Sequence, residues 1–297
     1  MLKALLHGAQ RRLHYALGFD NSAGIIRNLG YARYHRRCQE AYASRHPAAP
    51  TERSRDVALA IQGAGFHLAP PTPEVVAALE PIRAMLDARL DDPANRVPKF
   101  DALTRYYLSP TEFDLVRPVL DTWIGAAVAH SLRSDFAVAS AYVYRTEPSG
   151  DAPRSSWLWH SDEHPDCCLK LFVYLTDTTI ENGAMQVHTW PSTRDLKRRG
   201  FADRRSVGPT IQADLDDPRR YVVAEGARGS VAFFCANAIH RAIWPKRSHR
   251  DLLTFELAPC PSADRPYLAK PNSYWDRPDA PATAIAHLSQ IGTDGAS

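Results

Sequence analysis

The chain has 297 residues, of which 44% are hydrophobic and 23% charged, proportions that are ordinary for a folded globular protein. No apolar run approaches the roughly 18–20 residues that a membrane-spanning helix needs, and the N-terminus lacks the apolar stretch and cleavage site of a signal peptide. The five cysteines, an odd number without regular spacing, favour reduced thiols in a cytoplasmic protein over a disulfide framework.

The net charge of +3 is distributed unevenly along the chain. Residues 1–50 carry eight Lys and Arg against two Asp and Glu, a net charge of +6, whereas the remaining residues together carry −3. The basic character therefore belongs to an N-terminal arm, which ends at a linker-like, proline-containing stretch.

The N-terminal arm begins with leucines and alanines at helical spacing between residues 2 and 17, with basic side chains on the other faces. This pattern fits a helix that packs on the main domain or in a dimer. It also fits an interfacial helix that contacts an anionic membrane surface or an anionic partner. Tyrosines interleave with arginines, but no nucleic-acid-binding motif is present, so we expect no nucleic-acid partner. The oligomeric state is left open.

The segment that follows the arm predicts helices with defined starts. Thr72-Pro73-Glu74 has the residue types of a helix N-terminus, and we expect this helix to continue to about Leu90. Ser109-Pro110-Thr111-Glu112 is a capping box that opens a helix to about Leu132. The residues between the two helices, 91–105, are predicted to be irregular.

After residue 135 the sequence changes to short apolar runs separated by turn residues, which is typical of a β sandwich or barrel. We expect strands at residues 137–145, 156–162, 168–176, 184–189, 221–225, 230–235, 239–244 and 251–257. Another short strand is predicted after the glycine turn at residues 63–65. The expected fold is mainly β, with flanking helices packed outside it. A basic insertion at residues 193–217 interrupts the strands and fits either a lid over a substrate or a solvated connector.

A candidate metal site stands out within the strand region. His160 and Asp162 are two residues apart, so on a strand both side chains leave the same face. Two histidines and one carboxylate on one face of an octahedron bind iron in non-heme Fe(II) oxygenases. His240, which follows a later apolar strand and a turn, is the candidate third ligand. Arg250, ten residues further on, has the guanidinium that can hold the far end of a dicarboxylate by a bidentate pair.

The region from about residue 141 to 259 resembles the phytanoyl-CoA dioxygenase family of Fe(II)/2-oxoglutarate-dependent oxygenases. The matching motifs occur in the same order as in the family. They are His160-Ser161-Asp162, Leu175-Thr176-Asp177, Glu181-Asn182-Gly183, Gly229-Ser230-Val231, His240 and Arg250. An HxD motif alone is weak, but the full series in order is a strong signal. One departure is that Thr189-Trp190-Pro191-Ser192-Thr193 stands where the family usually has PGSH.

The resemblance implies a double-stranded β-helix, also called a jelly roll or cupin-like core. It implies Fe(II) at His160, Asp162 and His240 as metal ligands and catalytic residues, with 2-oxoglutarate held by Arg250. The implied reaction is decarboxylation of 2-oxoglutarate to succinate and CO2, coupled to hydroxylation of an unactivated C–H bond with O2. Because Asp162 occupies the position at which halogenating members have Gly or Ala, hydroxylation or a related oxidation is favoured over halogenation.

Further candidates for the site follow from neighbouring strands and from the resemblance. Arg247 is the second choice for the guanidinium that binds 2-oxoglutarate, after Arg250. Candidates for the keto end of 2-oxoglutarate are Tyr142, Tyr144 and Lys170, and candidates for the substrate pocket are Trp159, Trp244 and His188.

The expected organisation is a basic helical extension at residues 1–50, an oxygenase domain at 51–275 with its β core at about 136–260, and a tail at 276–297. The substrate is expected to be a small organic molecule, lipid-like or a natural-product intermediate. The basic arm and the arginine-rich insertion favour an anionic substrate or partner. Two alternatives remain open: a β-barrel binding or scaffold protein without turnover, and a zinc-dependent hydrolase.

Overall fold

The computed structural model describes residue 15 and residues 25–45, 49–97, 102–149, 155–162, 164, 168–201 and 207–269. The predicted helix at residues 2–17, apart from residue 15, and the predicted tail at 276–297 lie outside this part of the chain. No helix among the described residues is long and apolar enough to cross a membrane.

Helices dominate the first half of the described chain. They are α1 (Ile25–Ser44), α2 (Glu52–Ala64), α3 (Pro73–Leu79), α4 (Arg83–Asp91), α5 (Pro110–Leu120) and α6 (Trp123–Leu132). α1 packs on the main domain: Tyr34 Oη donates to Pro259 O at 3.3 Å, and His35 Nε2 lies 2.8 Å from Leu132 O. The described part of the arm at residues 25–44 is thus helical and lies against the β region.

Both predicted helix starts are confirmed, but each predicted helix is two. Thr72 caps α3, and a 3-10 turn at Glu80–Ile82 separates α3 from α4 because Pro81 has no N–H for the helical ladder. The capping box at Ser109 is formed in full, since Glu112 N donates to Ser109 Oγ and Ser109 N donates to Glu112 Oε2. α5 nevertheless ends at Leu120, and Thr122 caps a new helix.

In the described part of the chain, nine strands form two antiparallel sheets. They are β1 (Phe66–Ala69), β2 (Leu103–Tyr107), β3 (Asp135–Thr146), β4 (Leu169–Tyr174), β5 (Met185–His188), β6 (Tyr221–Ala224), β7 (Val231–Cys235), β8 (His240–Ala242) and β9 (Arg250–Cys260). The large sheet has the order β1-β7-β4-β9-β3-β2 and the small sheet the order β6-β5-β8. The fold is the expected mainly β class, a jelly-roll core with helices outside it.

Two strand predictions are wrong. Residues 103–105, expected to be irregular, belong to β2, which pairs with β3 at the edge of the large sheet. Residues 156–162, expected to be a strand, contain a 3-10 turn at Ser155–Trp157 and a single bridge, between His160 and His240. Strand propensity depends on the context in which a segment pairs, so the local sequence did not distinguish strand from irregular structure in these two places.

The large sheet has one face in the apolar core and one face towards a cavity. Val143, Leu171 and Phe255 pack with side chains of the helices on the outer face. The alternate residues Tyr142, Lys170 and Glu256 face the cavity. This alternation follows from the two-residue period of a strand and decides which side chains can reach a ligand.

The insertion at residues 193–217 is neither a simple connector nor an open loop in its described part. It contains most of α7 (Trp190–Arg198), which begins three residues before it, and all of α8 (Pro209–Leu215). Leu196 and Leu215 from these helices form one buried cluster with Trp159 and Ile239, the neighbours of the two histidines of interest. The insertion therefore packs behind the segments that carry the candidate metal ligands.

Candidate metal centre

His160, Asp162 and His240 come together in space beside the large sheet. Backbone bonds in both directions, His160 N to His240 O at 2.9 Å and His240 N to His160 O at 2.8 Å, place the two histidines opposite each other. The Nε2 atom of His160 lies 3.6 Å from Asp162 Oδ1, and that of His240 lies 3.6 Å from Asp162 Oδ2. One ligand atom from each residue lies within 4.8 Å of the others. The three residues can share one ion.

Each imidazole is oriented by a backbone carbonyl. His160 Nδ1 lies 2.9 Å from Leu158 O, and His240 Nδ1 lies 2.8 Å from Ala238 O. A carbonyl only accepts, so Nδ1 carries the proton in both rings and the Nε2 lone pair points towards Asp162. Two atoms bound at about 2.1 Å and at right angles to one ion lie about 3 Å apart, close to the spacing found here. The donor set fits a divalent metal that accepts nitrogen and oxygen ligands.

A buried lysine lies next to the candidate metal ligands. Lys170 Nζ is 2.9 Å from Asp162 Oδ2 and 3.1 Å from Glu256 Oε1. Ser140 Oγ donates to Glu256 Oε2 at 2.8 Å. Burial alone would raise the pKa of Asp162, but the positive charge of Lys170 outweighs it and holds that pKa well below its usual value. Asp162 is therefore an anion, as a metal ligand must be.

A cavity of about 280 Å³ extends from these ligands along the inner face of the large sheet. Its volume lies near the lower end of the roughly 300–1,000 Å³ found for pockets that hold drug-sized ligands. Aromatic and apolar walls alternate with five charged groups, which are Arg105, Asp162, Lys170, Arg250 and Glu256. The cavity suits small molecules with charged ends.

Arg250 lies in the cavity wall with its side chain almost fully buried. It donates through Nη1 to Gly183 O, and its Nη2 lies 3.5 Å from Tyr144 Oη. Gly183 has a φ of 99° and its missing Cβ would lie 2.9 Å from Pro245, so only glycine fits this turn beside the guanidinium. The Nε atom of Arg250 is buried and has no hydrogen-bond partner among the described residues. The guanidinium therefore retains an unused donor.

Lys197, in α7, joins the two segments that carry the candidate metal ligands. The residue is 1% exposed, and its ammonium donates to Ser161 Oγ and to Asn237 O, both at 2.9 Å. Ser161 lies between His160 and Asp162, and Asn237 lies in the turn before His240. The ring of Tyr15, from the N-terminal arm, has its centroid 5.4 Å from Lys197 Nζ. The insertion and the arm thus brace the back of the site.

Four of the side chains expected to bind 2-oxoglutarate line the cavity: Arg250, Lys170, Tyr144 and Tyr142. Arg247, the second choice for the guanidinium, does not. Its side chain is 80% exposed and its Nε lies 3.6 Å from Glu181 Oε2. It lies three residues before β9, outside the sheet, so the strand does not direct it inwards.

The three side chains expected in the substrate pocket lie outside the cavity. Trp159 neighbours His160 on an extended segment and so faces the opposite side, towards α8, where its Nε1 donates to Asp216 at 3.2 Å. His188 also faces away from the cavity. It lies three residues after Met185 on β5, and because Met185 faces the cavity, residues one or three positions from it face the other side. Trp244 lies beyond the end of β8, behind Trp157, with ring centroids 4.1 Å apart.

His188 is a structural residue of the outer layer. Its Nδ1 lies 2.9 Å from Ser192 Oγ and its Nε2 lies 3.2 Å from Leu215 O. Burial lowers the pKa of His188 to about 4, so the ring is neutral at pH 7. It connects β5 to the insertion helices.

Sequence reasoning missed three polar residues of the site: Arg105, Glu256 and Lys197. Glu256 has a usable signal, because a single acid in the apolar run of the last strand has to face a polar cavity or pay a large desolvation cost. Arg105 was missed because β2 was missed. Nothing in the local pattern distinguishes Lys197 from the exposed basic residues that follow it.

The chain is similar in structure to enzymes of known fold. SnoK, a non-heme α-ketoglutarate-dependent carbocyclase from nogalamycin biosynthesis, is 17% identical with a TM-score of 0.52 over 72% of this chain and 88% of that chain. HygX from Streptomyces hygroscopicus, with nickel and 2-oxoglutarate bound, is 18% identical with a TM-score of 0.50 over 71% of this chain and 88% of that chain.

A third structure extends this likeness. EctD from S. alaskensis, with 2-oxoglutarate and 5-hydroxyectoine, is 18% identical with a TM-score of 0.53 over 71% of this chain and 77% of that chain. At these identities the likeness establishes a shared fold, the jelly roll of 2-oxoglutarate-dependent enzymes. No protein-family model matches the chain, and no curated protein matches it significantly in sequence.

Proposed function

We propose that the protein is a non-heme Fe(II)/2-oxoglutarate-dependent dioxygenase, similar to the phytanoyl-CoA dioxygenase family, with residues 51–275 as its catalytic domain. The observation that carries the proposal is the convergence of His160, Asp162 and His240 at one end of a cavity whose wall contains the buried Arg250. The shared fold supports it, as do the 2-oxoglutarate ligands of HygX and EctD.

In this proposal the three candidate ligands hold Fe(II), and the iron with 2-oxoglutarate supplies the activation of O2. The guanidinium of Arg250 binds the far carboxylate of 2-oxoglutarate, with Nε as the unused donor and Tyr144 beside it. Lys170 is already paired with two carboxylates, and its role is to keep Asp162 ionised and in place. Tyr142 remains a candidate contact for the keto end.

The rest of the cavity positions the substrate and excludes water. Phe172, Phe234 and Met185 form apolar parts of the cavity wall. Apolar walls around an oxidising centre protect reactive species from water and hold a C–H bond near it. We propose hydroxylation of an unactivated C–H bond in a small organic substrate, lipid-like or a natural product, and Asp162 leaves no ligand position for halide.

An anaerobic titration tests this function. Fe(II) followed by 2-oxoglutarate is expected to produce the weak visible absorption band of the Fe(II)–2-oxoglutarate complex, and aerobic incubation with ascorbate and a substrate panel is expected to release succinate. His160→Ala should abolish the band. Iron-independent hydrolysis, or tight zinc with no 2-oxoglutarate binding, would instead support the zinc hydrolase. Absence of any metal binding would support the scaffold alternative.

A further inference from the structure

The cavity contains a second guanidinium that neither the candidate metal centre nor the proposed 2-oxoglutarate site uses. Arg105 lies in the edge strand β2, opposite Tyr144 in the register with β3, and lines the cavity. Its Cζ atom lies 5.4 Å from the centroid of the Tyr142 ring. Its Nε is buried and without a hydrogen-bond partner, and no carboxylate in the described part of the chain forms an ion pair with it.

The other charges of the cavity are paired. Lys170 contacts both Asp162 and Glu256, and Arg250 is assigned to the far carboxylate of 2-oxoglutarate. The five charged side chains in the wall carry a formal charge of +1, and a divalent cation with a dianionic co-substrate adds nothing to it. One positive charge is left over, and it belongs to Arg105. A partly buried cation without a counterion is costly, so this position favours an anion.

The surroundings of Arg105 indicate what the anion is attached to. Tyr107 and Tyr142 have ring centroids 5.1 Å apart, and Tyr142 and Tyr144 have centroids 6.0 Å apart. Leu103 lines the cavity from the same strand as Arg105. These side chains form an aromatic and apolar wall, which suits a ring or a short hydrocarbon.

We propose that Arg105 binds a carboxylate or phosphate group of the substrate, whose apolar body packs on Tyr107, Tyr142 and Tyr144. This inference rests on the proposed function and adds the chemical class of the substrate: a small organic acid or phosphate ester with an apolar part. Arg105 determines specificity, since it selects the anion and fixes the orientation of the carbon chain relative to the candidate metal centre.

The test measures binding, not turnover. The protein is loaded with Ni(II) and 2-oxoglutarate, and calorimetry compares 3-phenylpropionate and phenyl phosphate with the neutral 3-phenylpropionamide. At least one anion is expected to bind tenfold more tightly than the amide, and the tighter of the two identifies the anion. Arg105→Gln should remove this preference and Arg105→Lys should keep part of it. Arg247→Gln, a change to an exposed arginine outside the cavity, should leave it intact.

Two results would overturn the proposal. One is equal binding of the amide and the anions, or a preference that survives Arg105→Gln in a variant whose circular dichroism and melting temperature match the parent. The other is a tenfold loss of 2-oxoglutarate affinity in Arg105→Gln, which would assign Arg105 to the co-substrate. If the protein binds no 2-oxoglutarate but the metal-free form shows an anion preference that depends on Arg105, the anion site stands and the proposed function fails.

Discussion

Replacement of Lys197 by methionine separates metal affinity from fold stability. The ammonium of Lys197 donates to Ser161 Oγ and Asn237 O, one in each ligand-bearing segment, and methionine keeps most of the volume without the donors. Ser161 Oγ still donates to Asn237 O at 3.2 Å, so the two segments remain linked by a weaker bond. The variant loosens the brace without opening a large cavity.

The expected magnitudes differ for the two quantities. Each hydrogen bond from an ammonium contributes about 1.5–3 kcal/mol to stability, but burial of that ammonium costs several kcal/mol. The methionine variant loses the hydrogen bonds and also avoids the cost of burying a charge. The free energy of unfolding of the metal-free protein should therefore change little, by about 2 kcal/mol or less in either direction. Residues that orient metal ligands typically contribute about 10–100-fold in metal affinity, which corresponds to about 1.4–2.8 kcal/mol.

The assay is an anaerobic titration with Co(II), followed by its visible ligand-field bands, together with urea unfolding of the metal-free protein. Lys197→Met should raise the dissociation constant at least tenfold and Lys197→Gln, whose amide still donates, should raise it less. The control is Lys246→Met, a change to a lysine that is 67% exposed and 3.9 Å from its acidic partner. An unchanged Co(II) affinity with lowered stability would refute the idea that Lys197 positions the candidate ligands.

Three other changes test separate parts of the molecule. Arg250→Lys should raise the dissociation constant of 2-oxoglutarate at least tenfold by calorimetry, because lysine cannot form the bidentate pair, and metal affinity should not change. Lys170→Met leaves Asp162 and Glu256 without their shared cation and should lower the unfolding free energy of the metal-free protein, measured in urea, by about 3–5 kcal/mol. Adding Glu256→Gln to this variant should restore most of the lost unfolding free energy. Glu112→Gln should lower the free energy of unfolding by about 3 kcal/mol at pH 7, because burial raises the pKa of Glu112 but its hydrogen bonds outweigh this and lower that pKa to about 2. The difference in unfolding free energy between variant and parent should disappear as the pH falls from about 4.5 to about 2. A difference that stays constant over this range would contradict the assignment.

Local signals in the sequence predicted much of the fold. The capping box at Ser109 and the cap at Thr72 define helix starts through bonds within four residues, and both are present in the structure. Helix ends depend on tertiary packing as well, and both predicted helices broke where a proline or a second cap intervened. β2 was missed because its alternation is short and its pairing partner, β3, lies about forty residues away in the chain.

For the candidate site, the HxD spacing and the distal histidine and arginine identified residues that the structure brings together around one cavity. The period of a strand would also have excluded Trp159 from the substrate pocket, because Trp159 directly precedes His160 and so faces the side opposite to His160 and Asp162. It could not identify Lys197 or Arg105. Both enter the site through packing between elements that are distant in sequence, and a local pattern contains no information on such contacts.

The two ends of the cavity are held by different kinds of structure. Arg250 is the first residue of β9, an eleven-residue strand in the middle of the large sheet, and it pairs with Thr146 of β3. His160 and His240 are joined by one bridge next to a three-residue strand, and their neighbours Trp159 and Ile239 pack against the insertion. A short ladder is easily distorted, so the candidate metal centre depends on α7 and α8, whereas the Arg250 end does not. Damage to the insertion should therefore weaken metal binding well before it affects the opposite end of the cavity.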